Sequence, residues 1–202
     1  MNAIAFQTPA KLFSDYSSRL SAALQGFDWT PVERLAYELR DCWQSGRQLF
    51  LCGNGGSGGN ANHLANDFLY ALSKTKGSGL RVHSLSANPS TITCLANDEG
   101  YDQVFSLQLA VLARAGDVLV VFSGSGNSPN IVKALEEAKT IGMTSYALLG
   151  YSGGKAKALA DVPIHFAIDD MQIAEDAQMV IGHMLMQWLH AQRDEISSKR
   201  AG

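Results

Sequence analysis

Two glycine-rich turns hold the residues of this sequence that are best suited to bind an anion. Gly53–Ser57 (GNGGS) directly follows the apolar run Gln48–Cys52, and Phe122–Ser128 (FSGSGNS) follows the apolar run Asp117–Val121. Such turns leave several backbone N–H groups without internal partners, and these groups bind phosphate where a helix begins. The same device occurs twice, about 70 residues apart, which predicts that both turns contact one phosphorylated ligand.

Two nucleotide-binding motifs compete with this interpretation. Gly53, Gly55 and Gly58 satisfy the GxGxxG pattern of dinucleotide-binding domains. That binding mode requires an acidic residue near the end of the second strand, but no carboxylate occurs between Asp67 and Asp98. Neither turn has the Gly-Lys-Ser/Thr ending of a nucleotide P-loop.

The remaining interpretation is a phosphomonoester site made of backbone N–H groups and hydroxyls. Its hydroxyl donors are predicted to be Ser57, Ser123, Ser125 and Ser128, and Ser128 is also placed to begin the next helix. The alternative is that these serines and glycines only form turns and helix caps. Because two such turns follow predicted strands, we favour the ligand-binding interpretation.

The rest of the sequence alternates between short apolar strands and helices. Helical periodicity runs from Leu12 to Leu24 and from Val32 to Trp43, before the first strand. Strands are predicted at 48–52, 81–85, 117–122, 144–149 and 162–168. This pattern is typical of an α/β fold: a three-layer sandwich with a central five-stranded parallel sheet, preceded by two N-terminal helices. Ligands of such sheets bind at the carboxyl ends of the strands, where both turns lie.

The chain divides into three predicted segments. Residues 1–47 form the N-terminal helices, residues 48–193 form the α/β domain, and residues 194–202 form a polar, frayed tail. The last helix, from Met171 to about Arg193, is apolar on much of its circumference, which indicates core packing and contact with another subunit. The N-terminal helices are predicted to contribute to the same oligomer.

The composition of the 202-residue chain excludes several classes of protein. A hydrophobic content of 46% suits one globular domain, and a net charge of −3 provides no broad basic surface for nucleic acid or an anionic membrane. The three cysteines lack CxxC spacing, so neither a disulfide framework nor a structural zinc site is indicated. Without a basic leader or an apolar run of membrane-spanning length, the protein is expected to be cytoplasmic.

Four motifs carry a resemblance to a known family: GNGGS at Gly53–Ser57, CLANDEGY at Cys94–Tyr101, GDVLVVFSGSGNS at Gly116–Ser128 and AEDAQMVIGH at Ala174–His183. The chain resembles the sugar isomerase (SIS) domain proteins, and within them the phosphoheptose isomerases and their replication-initiator-associated adaptor relatives. The resemblance implies that the sugar phosphate is bound by Asn54, Gly55, Gly56, Ser57, Asn97, Asp98, Ser123, Gly124, Ser125 and Ser128. The usual turn of the family reads Ser-Thr-Ser, whereas Gly124 stands in the middle here.

The resemblance also implies an aldose–ketose isomerisation through an enediol, with zinc held by His63, Asp67, Glu175 and His183. In the implied roles Asp67 is the base and His183 the acid. His63 and Asp67 are four residues apart and project from one face of a helix. Glu175 and His183 are eight apart and lie nearly on one stripe, which Asp176 would fit equally well.

Two of these positions depart from the family pattern, which has glutamate in place of Asp67 and glutamine in place of Glu175. The shorter Asp67 withdraws its carboxylate by about one methylene, and a displacement near 1 Å can cost a catalyst on the order of a hundredfold. Glu175 adds a carboxylate instead. Two histidines and two carboxylates are all ligand types that zinc accepts.

Two functions follow from the resemblance. The first is an intramolecular oxidoreductase that isomerises sedoheptulose 7-phosphate to D-glycero-D-manno-heptose 7-phosphate, for lipopolysaccharide biosynthesis. The second is a non-catalytic adaptor that binds a sugar phosphate or a replication initiator. The retained acid, base and metal ligands favour the isomerase. We therefore expect a phosphorylated sugar as substrate, a homotetramer, and no direct contact with nucleic acid or membrane.

Overall fold

Five parallel strands form one sheet in the structure, a computed structural model that describes residues 8–74 and 76–200. The strands are β1 (Gln48–Gly53), β2 (Arg81–Ser84), β3 (Val118–Ser123), β4 (Thr144–Leu149) and β5 (Val162–His165). They are ordered β2-β1-β3-β4-β5, and each neighbouring pair is parallel. The predicted fold class is confirmed.

Helices cover both faces of this sheet. They are α1 (Pro9–Gln25), α2 (Thr30–Ser45), α3 (Gly55–Asn66), α4 (Pro89–Asp98), α5 (Ser106–Leu112), α6 (Pro129–Ile141), α7 (Gly154–Leu159), α8 (Met171–Ala191) and α9 (Arg193–Arg200). One buried cluster includes Leu35 and Trp43 of α2 and Ile181 of α8, and a second includes Phe105 and Leu135 on the opposite face. Every residue of β3 is buried between them, as expected for a central strand of a parallel sheet.

The sheet changes winding direction between β1 and β3. From β1 the chain crosses to β2 on one side, and β3 then returns to the other side of β1. Gly53 at the end of β1 is opposite Phe122 near the end of β3. The two glycine-rich turns therefore leave adjacent strands, at the crevice where such sheets bind ligands.

The two N-terminal helices differ in how firmly they pack. Helix α2 buries six residues against the sheet and α8, whereas α1 buries none. Helix α1 is held to α8 by two polar contacts, Tyr16 with Asp176 and Arg19 with Asp170. Residues 1–7 of the predicted N-terminal segment lie outside the described residues.

Most strand boundaries agree with the prediction to within one residue, and larger differences occur at three places. The sequence predicts a helix from about Asn60, but α3 begins five residues earlier, at Gly55, and β5 ends at His165 and not at residue 168. The tail expected to fray from Asp194 continues instead as α9, because Ile196 is buried in the core beside α2 and α8. Residues 201 and 202 are not among those described. In the described part of the chain, no helix combines the length and apolarity needed to cross a bilayer.

Candidate active site

The two glycine-rich turns border a single cavity of about 250 Å³. Its lining residues come from the start of α3, the turn after β3 and the first turns of α8: Asn54, Gly55, Gly56, Ser57, Phe122, Ser123, Gly124, Ser125, Ser128, Met171 and Glu175. The N-termini of α3, α6 and α8 all adjoin this cavity. Helix N-termini carry partial positive charge and free N–H groups, so the arrangement suits an anion.

Two asparagines join the turns directly. Asn54 Nδ2 donates to Asn130 Oδ1 at 2.9 Å, and Asn130 Nδ2 donates to Asn54 Oδ1 at 2.8 Å. The hydroxyl of Tyr101 also donates to Asn54 Oδ1, at 3.0 Å. The Oδ1 atom of Asn54 is thus engaged by two donors within the protein, whereas its Nδ2 has one hydrogen left to donate. Sequence reasoning missed Asn130 because its partner is 76 residues away.

The four serine hydroxyls of the cavity differ in whether they have hydrogen-bond partners within the protein. Ser123 Oγ accepts a hydrogen bond from the backbone N–H of Gly126 at 3.0 Å, and Ser125 Oγ accepts one from Asn127 at 3.3 Å. Within residues 8–74 and 76–200, the hydroxyls of Ser57 and Ser128 have no hydrogen-bond partner. Ser57 and Ser128 can therefore offer donors to a ligand without breaking an internal contact.

Gly124, where the usual turn of the family has a hydroxyl side chain, packs against the flexible side chain of Met171. A Cβ at residue 124 would collide with the sulfur of Met171. The side chain of Met171 therefore occupies the space that a threonine would fill, and it forms one wall of the cavity.

A second set of predicted residues meets beside α3 and α8. The Nε2 atoms of His63 and His183 are 3.1 Å apart, and Asp67 Oδ2 lies 3.3 Å from His63 Nε2 and 3.8 Å from His183 Nε2. The two imidazoles are about half exposed, whereas the Asp67 carboxylate is 15% exposed. In the described chain these three residues form the one group with ligand atoms close enough to share a metal ion.

Close helix packing brings this set together. A Cβ at Gly182 would overlap the methyl groups of Leu64, so glycine lets α8 approach α3 closely enough for His183 to reach His63. The chain after α3 continues as a π-helical turn, Asp67–Ala71, in which Leu72 N–H donates to the carbonyl of Asp67 at 3.2 Å. Such turns occur frequently at functional sites.

The donor set fits a zinc ion. In a tetrahedral site with metal–nitrogen distances of roughly 2.0–2.1 Å, ligand atoms lie about 3.3 Å apart. His63 Nε2 lies 3.1 Å from His183 Nε2 and 3.3 Å from Asp67 Oδ2, and the Asp67–His183 separation is wider, at 3.8 Å. Two imidazoles and one carboxylate leave a fourth position open, as in catalytic zinc sites.

Glu175 is outside this group. Its carboxylate lies against Gly56 in the anion cavity, where a Cβ on residue 56 would collide with both carboxylate oxygens. The neighbouring Asp176 faces α1 instead and accepts a hydrogen bond from Tyr16 Oη at 2.5 Å. Burial and this hydrogen bond raise the pKa of Tyr16 to about 12. Asp176 therefore contributes to the contact between α8 and α1.

Asn97 and Asp98 do not line the cavity. Both are exposed at the end of α4, where Asn97 Nδ2 donates to Asp98 Oδ1 at 2.7 Å. The Cys94 thiol donates to Asp98 Oδ2, and this hydrogen bond raises the pKa of Cys94. Their expected role in sugar binding stays a prediction.

Comparison with known sequences gives the same family that the motifs indicated. The SIS domain family matches residues 13–150. The chain is 37% identical over 155 residues to the phosphoheptose isomerase of Trichlorobacter lovleyi, covering 77% of this chain and 79% of that protein. It is 40% identical over 138 residues to the phosphoheptose isomerase of Helicobacter pylori, covering 68% and 71% of the two chains.

Solved structures resemble the fold closely. Phosphoheptose isomerase GmhA from Neisseria gonorrhoeae has a TM-score of 0.81 at 30% identity, covering 90% of this chain and 96% of that one. A phosphoheptose isomerase from Francisella tularensis has a TM-score of 0.82 at 27% identity, covering 91% and 98%. Both similarities extend over most of the sheet and its flanking helices.

Proposed function

Because the chain belongs to the SIS domain family, and within it to the phosphoheptose isomerases, we propose that it interconverts sedoheptulose 7-phosphate and D-glycero-D-manno-heptose 7-phosphate. It is an isomerase by family. The identity of the sugar and the roles of individual residues are the parts that we infer from the site.

The separation of the two sites along α3 carries the proposal. Gly56 borders the anion cavity and His63 belongs to the metal-binding group, seven residues later on the same helix. Seven residues of α-helix span about 10 Å. This length is comparable to that of an extended open-chain heptose phosphate, which would place its phosphate in the cavity and its C1 and C2 beside Asp67.

The anion cavity would hold the phosphate and orient the sugar. Backbone N–H groups of the two turns, with the hydroxyls of Ser57 and Ser128, provide donors, and three helix N-termini favour the negative charge. Binding energy from this remote group would fix the reacting carbons relative to the acid and base.

Asp67 and His183 are suited to move the protons. Their carboxylate oxygen and imidazole nitrogen are 3.8 Å apart, so both can reach adjacent atoms of one substrate. Asp67 would take a proton from C1 of the ketose and return it to C2 of the enediol. His183 would give a proton to O2 and receive the proton of O1, through Nδ1 when zinc occupies Nε2, which leaves both side chains unchanged after each turnover.

We propose zinc at His63, Asp67 and His183, because two of their three ligand-atom separations are close to those of a tetrahedral site and all three atoms lie within 4.8 Å of one another. Zinc bound there would polarise the substrate oxygens. The short side chain of Asp67 still reaches both histidines, so the departure from glutamate does not remove it from the group.

The direct test is turnover. Purified protein is incubated with sedoheptulose 7-phosphate after chelator treatment and again after addition of one equivalent of zinc, and the aldose product is measured. We expect turnover in the zinc-treated sample and a large reduction after chelation. The absence of product in both samples would favour the non-catalytic adaptor. The proximity of His63, Asp67 and His183 supports the isomerase.

We also propose a cytoplasmic homotetramer. Exposed apolar side chains on α1, α2 and α8 include Phe13, Tyr37 and Met184, and they offer surfaces for other subunits. The cysteines of the described chain are unpaired, which suits a reducing compartment. Light scattering at several protein concentrations would measure the assembly, and a monomer throughout would contradict it.

A further inference from the structure

Glu175 places a carboxylate in a cavity that otherwise suits an anion. It is the one ionisable residue that lines the anion cavity, and no lysine or arginine accompanies it there. Within the described chain, its carboxylate has no hydrogen-bond or ion-pair partner. A phosphomonoester near pH 7 carries about −1.5 to −2 charges. The carboxylate therefore opposes the ligand that the cavity is otherwise shaped to bind.

The backbone of Glu175 lies midway between the two sites. Asn60 Nδ2 donates to the carbonyl oxygen of Glu175 at 2.9 Å, so this residue is level with Asn60 on α3. Gly56 is one helical turn before Asn60, and His63 is about one turn after it. Rotation about the side-chain bonds of Glu175 can therefore direct its carboxylate towards either the anion cavity or the metal-binding group.

A second observation is a hydrogen-bond donor close to Glu175 on α8 that is unsatisfied in the part of the chain that the structure describes. Gln178 follows Glu175 by three residues, so both lie on the same face of α8. Gln178 is 2% exposed, and its Oε1 accepts from Asn60, whereas its buried Nε2 has no partner within the described residues. A buried donor without an acceptor costs stability. A Glu175 carboxylate turned away from Gly56 lies on the same face of α8 as this donor and can accept its hydrogen bond.

We propose that Glu175 couples zinc binding to phosphate binding by moving between the two sites. Without metal, its carboxylate occupies the anion cavity beside Gly56. With zinc on His63, Asp67 and His183, it turns to the open fourth position and leaves the cavity to the phosphate. This inference rests on the two sites of the proposed function, and it makes each ligand raise the affinity for the other.

The experiment measures binding in the full chain, without turnover. Inorganic phosphate is titrated by calorimetry into metal-free protein and into protein carrying one equivalent of zinc. Zinc is titrated against a competing chelator with and without phosphate. We expect zinc to raise phosphate affinity about tenfold, and phosphate to raise zinc affinity by the same factor, because coupling between two sites is reciprocal.

Two variants assign the effect. Glu175→Gln should bind phosphate about tenfold more tightly than the wild type when both are metal-free, and zinc should then add no more than about twofold. Asp176→Asn removes an equal charge from the next residue, which faces Tyr16 and not the cavity, and it should behave as the wild type. Calorimetry in buffers of different ionisation enthalpy reports any proton taken up with phosphate.

Several results would overturn the coupling. The coupling would be refuted if zinc raised phosphate affinity equally in the wild type and in Glu175→Gln. It would also be refuted if Asp176→Asn lost this effect of zinc as fully as Glu175→Gln. Uptake of one proton per phosphate by the metal-free wild type would mean that Glu175 is neutralised in place. Phosphate binding by no form of the protein would also refute it. Turnover of the heptose phosphate alongside any of these results would leave the proposed function standing.

Discussion

Asn54 and Asn130 exchange two side-chain hydrogen bonds, of 2.9 and 2.8 Å, across the gap between the two glycine-rich turns. Asn54 precedes α3 and Asn130 lies in the first turn of α6. The amide pair therefore fixes the distance between two helix N-termini that face one cavity. We therefore expect the pair to act on binding mainly by positioning the two helix N-termini.

Replacing either asparagine should loosen the cavity. Asn130→Ala leaves both polar atoms of the Asn54 amide without this partner, and we expect a loss of about 1–3 kcal/mol in unfolding free energy and a raised KM for the phosphosugar. Urea unfolding of Asn54→Ala, Asn130→Ala and the double variant measures the pair. Additive losses would contradict a direct coupling between the two residues.

Asp67→Asn should abolish most of the proton transfer while keeping the size of the side chain. Removal of a general base typically costs about 10²–10⁴ in rate, and zinc affinity should fall as well, because the amide replaces a charged ligand. Turnover and zinc content are measured together. Asp41→Asn, on the exposed side of α2, serves as the control, and equal losses in both variants would count against the assignment.

Two serines of the second turn should respond differently. Ser128 has no internal partner in the described residues, so Ser128→Ala should raise KM with little change in kcat or stability. Ser123 accepts a buried hydrogen bond from Gly126, so Ser123→Ala should also destabilise the fold by about 1–3 kcal/mol. Thermal unfolding and steady-state kinetics separate the two effects. Identical melting temperatures in the two variants would refute the distinction.

Gly182→Ala should push α8 away from α3. The new methyl group overlaps Leu64, and overpacking costs about 1–3 kcal/mol, against a gain of roughly 0.5–1 kcal/mol from replacing a helical glycine. Zinc affinity should decrease because His183 moves with the helix.

Gly59 offers the matched comparison, because open space surrounds it in α3. Gly59→Ala should be neutral or stabilising and should leave zinc affinity unchanged. If Leu64→Ala is combined with Gly182→Ala, part of the lost zinc affinity should return. Equal zinc affinities of wild type and Gly182→Ala would show that close packing at this point is not needed.

Asp170 should make the contact between α1 and α8 dependent on pH. Burial raises the pKa of Asp170, but hydrogen bonds from Ile173 N–H and Arg19 outweigh it, so the pKa is lowered from its usual value. A lowered folded-state pKa gives stability that is present above the unfolded value of about 3.9 and is lost as pH falls through the folded-state value.

Asp170→Asn keeps the helix cap but loses the charge. We expect it to cost less than about 1 kcal/mol at neutral pH, since Arg19 is half exposed. The difference from the wild type should vanish in acid. The unfolding free energies of the wild type and the variant are compared from about pH 2 to about pH 7, a range that brackets the usual aspartate pKa. Asp169→Asn, at an exposed position, serves as the control. A constant difference across this range would contradict the assignment.

The sequence was sufficient for the sheet and its two turns because apolar runs ending in glycine are local signals. It placed the start of α3 too late, since Gly55 to Gly59 have low helix propensity, and contacts made possible by small residues override that preference. Ile196 packs in the core through contacts that no local pattern reveals. The family motifs supplied His63, Asp67 and His183, but the location of the Glu175 carboxylate depends on side-chain rotation, which spacing along a helix does not determine.

The absence of basic side chains from the described lining of the anion cavity has an evolutionary consequence. A substitution can delete a lysine, but among the standard residues only proline deletes a main-chain N–H. The proposed anchor for the phosphate is therefore shielded from most single-codon changes, while the side chains of the other cavity walls stay free to diversify. A scaffold of this design can exchange one phosphorylated carbohydrate for another over generations without rebuilding the part that captures it.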